Sequence, residues 1–87
     1  MEFKGTKGEW KIGNSELSVI EPNKGLIIAY VGSRNELSIE EQKSNAKIIA
    51  AAPELLEALQ IYLNAGCKNQ RRDASVIAKK AINKALL

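Results

Sequence analysis

The sequence predicts an α+β domain: a short three-stranded antiparallel meander, then a long helix kinked at a proline, then a C-terminal helix folding back as an antiparallel hairpin. Three observations predict it. Short apolar runs, separated by turn residues, continue to about Val31. From Ser38 onward apolar and small residues recur at helical period. A short polar loop after Gly66 then joins two amphipathic stretches, the pattern of two antiparallel helices.

An 87-residue chain makes one small domain. We take residues 1–8 as a flexible arm and 9–87 as the domain, with strands within about 9–31 and helices over about 38–65 and 73–87. A domain this small buries a modest share of its surface and gains from oligomerisation. Aromatic residues are confined to Phe3, Trp10, Tyr30 and Tyr62, so aliphatic residues and alanine must fill the core.

The arm, "MEFKGTKG", is polar, glycine-rich and without a period. "EWKI" alternates and sets Trp10 and Ile12 on one face. "GNS" is a turn of residues that tolerate positive φ. "ELSVI" is the second strand. "EPNKG" is a turn built on Pro22, with Asn23 and Gly25 suited to left-handed geometry. "LIIAYV" is apolar on both faces and is expected to be the most buried strand, with helix on one side and a partner on the other.

Ser38 opens the helical half. Glu41 stands three residues later, the spacing of a capping box, and Glu40 and Glu41 suit the positive end of a helix dipole. Ile39, Ala46, Ile49, Ala52, Leu56, Leu59 and Leu63 then form one stripe that passes through Pro53 without losing phase. Proline removes an N–H and crowds the preceding turn. It also favours the first position of a new helix, but Ala52 would be a poor cap for one. The unbroken phase favours a kinked or briefly interrupted helix. Gly66 suits the C-terminal end of that helix, "CKNQRR" reads as a loop, and Asp73 as the cap of the last helix. In that helix Lys79, Lys80 and Lys84 are expected to face away from the stripe of Ala74, Ile77, Ala78, Ala81, Ile82 and Ala85.

The chemistry of the chain points to binding. There is no histidine, the commonest general base and metal ligand. One cysteine, Cys67, forms no internal disulfide or ordinary zinc site and fits a reducing compartment. No phosphate-binding glycine loop is present. No signal-peptide or membrane-spanning pattern appears. No cofactor is expected, and the chain reads as non-enzymatic.

Charge is uneven. The net +3 arises in the C-terminal quarter, where Lys68, Arg71, Arg72, Lys79, Lys80 and Lys84 face a single acid, Asp73. Such a patch suits phosphates and equally a solvated helix face. The loop containing Ser33, Arg34 and Asn35 precedes a helix start and could hold an anion.

The run "NAKIIAAAPELLEAL", Asn45 to Leu59, preceded by a meander containing Trp10, resembles a group of small phage and prophage proteins. Those carry a T-P-G-P-W-like start and then N-A-(K/R)-(L/I)-I-A-A-A-P-E-L-L. The likeness spans about Thr6–Leu63, and "TKGEW" departs from the pattern at Lys7 and Glu9. The resemblance implies a phage accessory product acting in the cytoplasm of the bacterial host, and it supplies no site residues. Proteins of that gene class often work by binding, including counter-defence proteins that sequester a small nucleotide signal or a host protein.

The leading expectation is therefore an oligomeric, non-membrane binding protein of that type. Nucleotide capture would use Arg34, Asn35, Lys68, Arg71 and Arg72 with Trp10, Tyr30 or Tyr62 for stacking. The alternatives are a nucleic-acid-binding regulator using the basic C-terminal quarter, and a virion assembly protein.

Overall fold

The computed structural model describes residues 2–32, 37–64, 66 and 68–87, with 68–70 described by their backbone alone. Strands β1 (Lys11–Ile12), β2 (Ser18–Glu21) and β3 (Leu26–Tyr30) precede helices α1 (Ile39–Ala50), α2 (Ala52–Asn64) and α3 (Lys68–Leu86). The strands form one antiparallel sheet in the order β1-β2-β3. The fold is α+β, and α2 and α3 pack as a C-terminal helical hairpin.

Local chemistry sets each turn. Between β1 and β2, the Glu16 N–H donates to the Gly13 carbonyl at 3.1 Å and the Gly13 N–H to the Ser18 carbonyl at 2.9 Å. A Cβ on Gly13 would stand 2.2 Å from Ser18 Oγ, so close approach requires glycine there. The positive φ expected of Gly13 or Asn14 falls instead on Glu16, at 62°. Between β2 and β3, Gly25 takes the left-handed conformation at φ 67°. The Glu21 carboxylate, unnoticed in the sequence, accepts from the Asn23 and Lys24 N–H groups at 2.9 and 2.8 Å.

Ser38 caps α1 as its spacing predicts. Its backbone is extended, and its hydroxyl accepts from the Glu41 N–H at 3.1 Å. Replacing Ser38 by Ala should cost about 1 kcal/mol by leaving that donor to solvent alone. Reversible urea unfolding of the two proteins checks this, with the slope expected to stay unchanged.

At the proline the helix is briefly interrupted. Ala51 separates α1 from α2, yet its backbone stays in the right-handed helical region. Its N–H still reaches the Lys47 and Ile48 carbonyls, at 3.0 and 3.2 Å, and its carbonyl accepts from Leu55 at 2.9 Å. The single helix expected over 38–65 is thus two helices on one path. Pro53 lies in the first turn of α2, where its missing N–H costs least.

Helix α3 begins at Lys68, five residues before the Asp73 cap expected for it. The intervening "KNQRR" contains no glycine or proline, and its Lys, Gln and Arg are good helix formers, so an aspartate in the second turn does not stop it. The extra residues lengthen α3 by about 7 Å at 1.5 Å per residue, and α3 packs against both α2 and α1.

The core is built of small residues. Val19 is the one large side chain fully buried among the described residues, and Ala46, Ala50, Ala51, Ala58, Ala74, Ala81 and Ala85 are buried around it or between the helices. Trp10, Ile12, Ile28, Ala29 and Ile49 close over the sheet side. The leucine stripe expected inside is largely outside: Leu59 is 64% exposed and Leu63 83%. Alanine lets two helix backbones approach closely, so the Ala58 face meets α3 and the leucines are turned aside. Strand β3, expected to be the most buried, is the exposed edge instead, because α1 packs over β1 and β2.

The chain exposes much more surface than a compact monomer of its size. Its accessible area is 6714 Å², where a 9.5 kDa chain is expected to expose about 5,000 Å². The radius of gyration is 14.7 Å with extents of 48 × 26 × 19 Å, against about 12 Å for a compact domain.

Candidate functional site

Two surfaces carry the surplus. Along α2, Leu56, Leu59 and Leu63 follow one another at spacings of three and four, with Tyr62 beside them, and all four are exposed. These spacings set the leucines on one helix face. On the sheet, Leu26, Ile27 and Tyr30 of β3 are exposed, and Ile48 of α1 lies next to the end of the strand.

The N-terminal residues close the first of these surfaces. Phe3 tilts against Trp10 at 6.4 Å between ring centres, and Lys7 lies over the Phe3 ring and donates to the Phe3 carbonyl. Phe3 and Trp10 meet Pro53 and Leu56 around a small apolar recess of about 180 Å³. A wider groove of about 420 Å³ runs beside it, with Lys7, Glu9, Glu54 and Glu57 among its lining residues.

Lys84 ties this region together. The sequence placed it on the outer face of α3, but its ammonium turns inward. It donates to Glu54 Oε1 at 2.7 Å and to the Trp10 carbonyl at 2.9 Å, and it lies 3.8 Å from Glu9 Oε1. A signal was present: Lys84 follows Ala81 by three residues and so shares its face. The other oxygen of Glu54, Oε2, is buried without a hydrogen-bond partner among the described residues.

The candidate binding residues do not converge on one described pocket. Arg34 and Asn35 lie outside the described residues, as do the Lys68 side chain and Cys67. Arg71 and Arg72 are exposed in the opening turns of α3, within a helix and not in the loop expected for them. Tyr62 is exposed near the end of α2 and Tyr30 at the end of β3. Trp10 is half-buried, its Nε1 donating to the Thr6 carbonyl at 3.2 Å. The surface that sequence reasoning missed is the leucine face, because periodicity marks apolar faces without saying what covers them; the apolar strand β3 was noted, but as the most buried strand and not as an exposed edge.

A salt bridge pins the β1–β2 turn to α1. Lys43 Nζ lies 2.7 Å from Glu16 Oε2. The hydrogen bond and charge of Lys43 hold the Glu16 carboxyl below its ordinary range, and Glu16 in turn raises Lys43. The Glu16 contribution is therefore full above the ordinary carboxylate range and fades as pH falls through the lowered folded value. The Lys43 contribution is full below the ordinary lysine range and fades as pH rises through the raised one. NMR titration of the Glu16 carboxyl should show the lowered value, and Lys43→Met should raise it toward the ordinary one.

No group of three or more His, Cys, Asp or Glu residues suited to a metal is present among the described residues. No helix there is long and apolar enough to cross a membrane.

Fold and surface together define a small α+β protein with an alanine-built helical hairpin and two bare apolar faces. The family model described as Salmonella phage P22 protein Y8K6 matches residues 1–86, and the chain belongs to that phage protein family. No curated protein matches it, and no solved structure does.

Proposed function

We propose that the chain is a non-enzymatic phage accessory protein that works by capturing a host protein as an oligomer, in the manner of a counter-defence factor. The observation that carries this reading is the exposed leucine face of α2, Leu56, Leu59 and Leu63 with Tyr62 beside it. Apolar side chains aligned on one helix match the way an amphipathic helix enters a groove on a partner. Contiguous apolar surface of this kind marks interaction sites in folded proteins.

Two further observations support it. The chain has no histidine, the side chain most used for general-base chemistry. The wide groove beside α2 is lined, among the described residues, by Glu9, Glu54 and Glu57 against the single cation Lys7, an acidic balance that disfavours a phosphate-bearing ligand there. A host protein is therefore the better-supported target than a nucleotide signal. The bacterial cytoplasm, where such a target would be met, is part of the same proposal.

The test is recovery of the tagged protein from infected host cells, with and without Leu59→Glu and Leu63→Glu. A stoichiometric host protein that is lost on substitution supports the reading. Calorimetric heat with cyclic or ADP-ribose-type nucleotides, unaffected by either substitution, would move the function to signal capture. Binding to DNA or RNA with a steep salt dependence would move it to the basic face of α3. Stoichiometric presence in purified virions would replace it with an assembly role.

A further inference from the structure

Strand β3 is an unprotected edge. It is the last strand of the sheet, and Leu26–Tyr30 contains no charge and no proline, the residues that usually guard such an edge. Ile27 is 53% exposed and Tyr30 73%. Left bare, a charge-free apolar strand of this composition is a template for pairing with another chain.

The strand's facing pattern identifies the partner. The ladder with β2 shifts register between Val19 and Ile20, so that Val19 pairs with Ala29 while Ile20 pairs with Ile27. Ile28 is the extra residue of this bulge. As a result Ile28 and Ala29 both pack on the core, while Ile27 before them and Tyr30 after them are both bare. Over Ile27–Tyr30 the order bare, core, core, bare is the same read in either direction, and Leu26, before these four, is exposed as well. A second copy laid antiparallel and related by a two-fold axis therefore places Ile27 beside the partner copy's Tyr30, and Ile28 beside its Ala29, with each residue on the matching face. A two-fold interface demands self-complementarity of this kind, whereas an unrelated strand has no reason to meet it.

Surface area points the same way. The 6714 Å² of the chain exceeds the compact expectation by about 1,700 Å², roughly twice the 800 Å² that each partner contributes to a standard interface. One such interface covers β3, and the α2 leucine face is left for the captured protein.

We infer that two copies of the chain associate through their β3 strands, joining two three-stranded sheets into one of six strands. This deepens the oligomeric part of the proposed function and does not depend on which protein α2 captures. Ile27 and Tyr30 are the residues at its centre, and Ile48 flanks it.

Native mass spectrometry and light scattering on the full chain test the inference. The wild-type protein is expected at twice the chain mass, and Ile27→Lys or Tyr30→Lys at the chain mass with an unchanged far-ultraviolet circular dichroism spectrum. In a Cys67→Ser background, the double variant Ile27→Cys/Tyr30→Cys is expected to form a covalent dimer on mild oxidation, with position 27 of one copy bridged to position 30 of the other by peptide mapping. A wild-type monomer at the highest soluble concentration would overturn the inference. So would self-association of any size that survives Ile27→Lys, or that is lost with Leu59→Glu and not with Ile27→Lys. Because the leucine variants report on capture and the β3 variants on pairing, failure of one reading is distinguishable from failure of the other.

Discussion

Val19→Ala is expected to lower the folding stability by about 2 to 3 kcal/mol, the largest effect of any conservative truncation in this chain. Val19 is fully buried, and among the described residues it is the one large side chain that is. It sits in the middle strand, covered by α1, with Ala46 and Ala50 above it and Ile12 and Ala29 beside it. Alanines cannot swing in to fill a void, so the cavity stays open and its full cost is felt. A domain of 87 residues has on the order of 4 to 13 kcal/mol of stability in total. The substitution should therefore lower the midpoint of thermal unfolding by roughly 10 to 20 °C. Scanning calorimetry or thermal circular dichroism checks it. A shift of only a degree or two would mean that the sheet and α1 do not share the core described here.

The second large effect is a reversal of the usual rule about leucine and alanine. Ala81→Leu is expected to destabilise by about 1 to 3 kcal/mol, while Leu59→Glu is expected to stay within about 0.5 kcal/mol of the wild type. Ala81 is buried within the helical hairpin region, with Ala74 and Ala85 on the same face of α3 and Ala58 buried on α2. Larger side chains there push the helices apart and disturb Lys84, three residues on, whose ammonium holds Glu54 and the Trp10 carbonyl. Leu59 is mostly in water already, so replacing it removes little buried surface. Chemical unfolding at a fixed low protein concentration measures both, since self-association adds concentration-dependent stability. Equal costs for the two substitutions would show that the leucine face, not the alanine face, carries the helix contact.

The contrast explains which parts of the fold were legible in the sequence. Turn and cap chemistry is local. Ser38 and Glu41 stand three residues apart and meet across one helical turn, and Gly25 takes the left-handed conformation in its turn. Phase is local too, and the stripe running through Pro53 foretold a helix path interrupted at a single residue. The start of α3 was misread because Asp73, a good cap by type, competes with five upstream residues that propagate a helix readily.

Burial is a different kind of property. Both "LIIAYV" and the Leu56–Leu59–Leu63 row announce surfaces that need covering. Neither states which residues of the row will be covered and which left bare. Here α1 packs over β1 and β2, and α3 packs against alanines, so Leu26, Ile27 and Tyr30 of the first row and the leucines of the second are left exposed. The candidate site residues show the same limit. Trp10, Tyr30, Tyr62, Arg71 and Arg72 were chosen by residue type, and the fold distributes them over different elements of a molecule 48 Å long.

The sequence by itself determined the order of the strands and helices, the turns of the sheet, the cap of α1 and the continuity of the helix path through Pro53, because these depend on neighbours within a few residues along the chain. The tertiary structure alone decided that alanine would be core and leucine surface, that β3 would be the edge, and that Lys84 would turn inward to Glu54. Those outcomes depend on which faces meet across the chain: close packing between helices selects small side chains, and the larger ones are left to meet a partner.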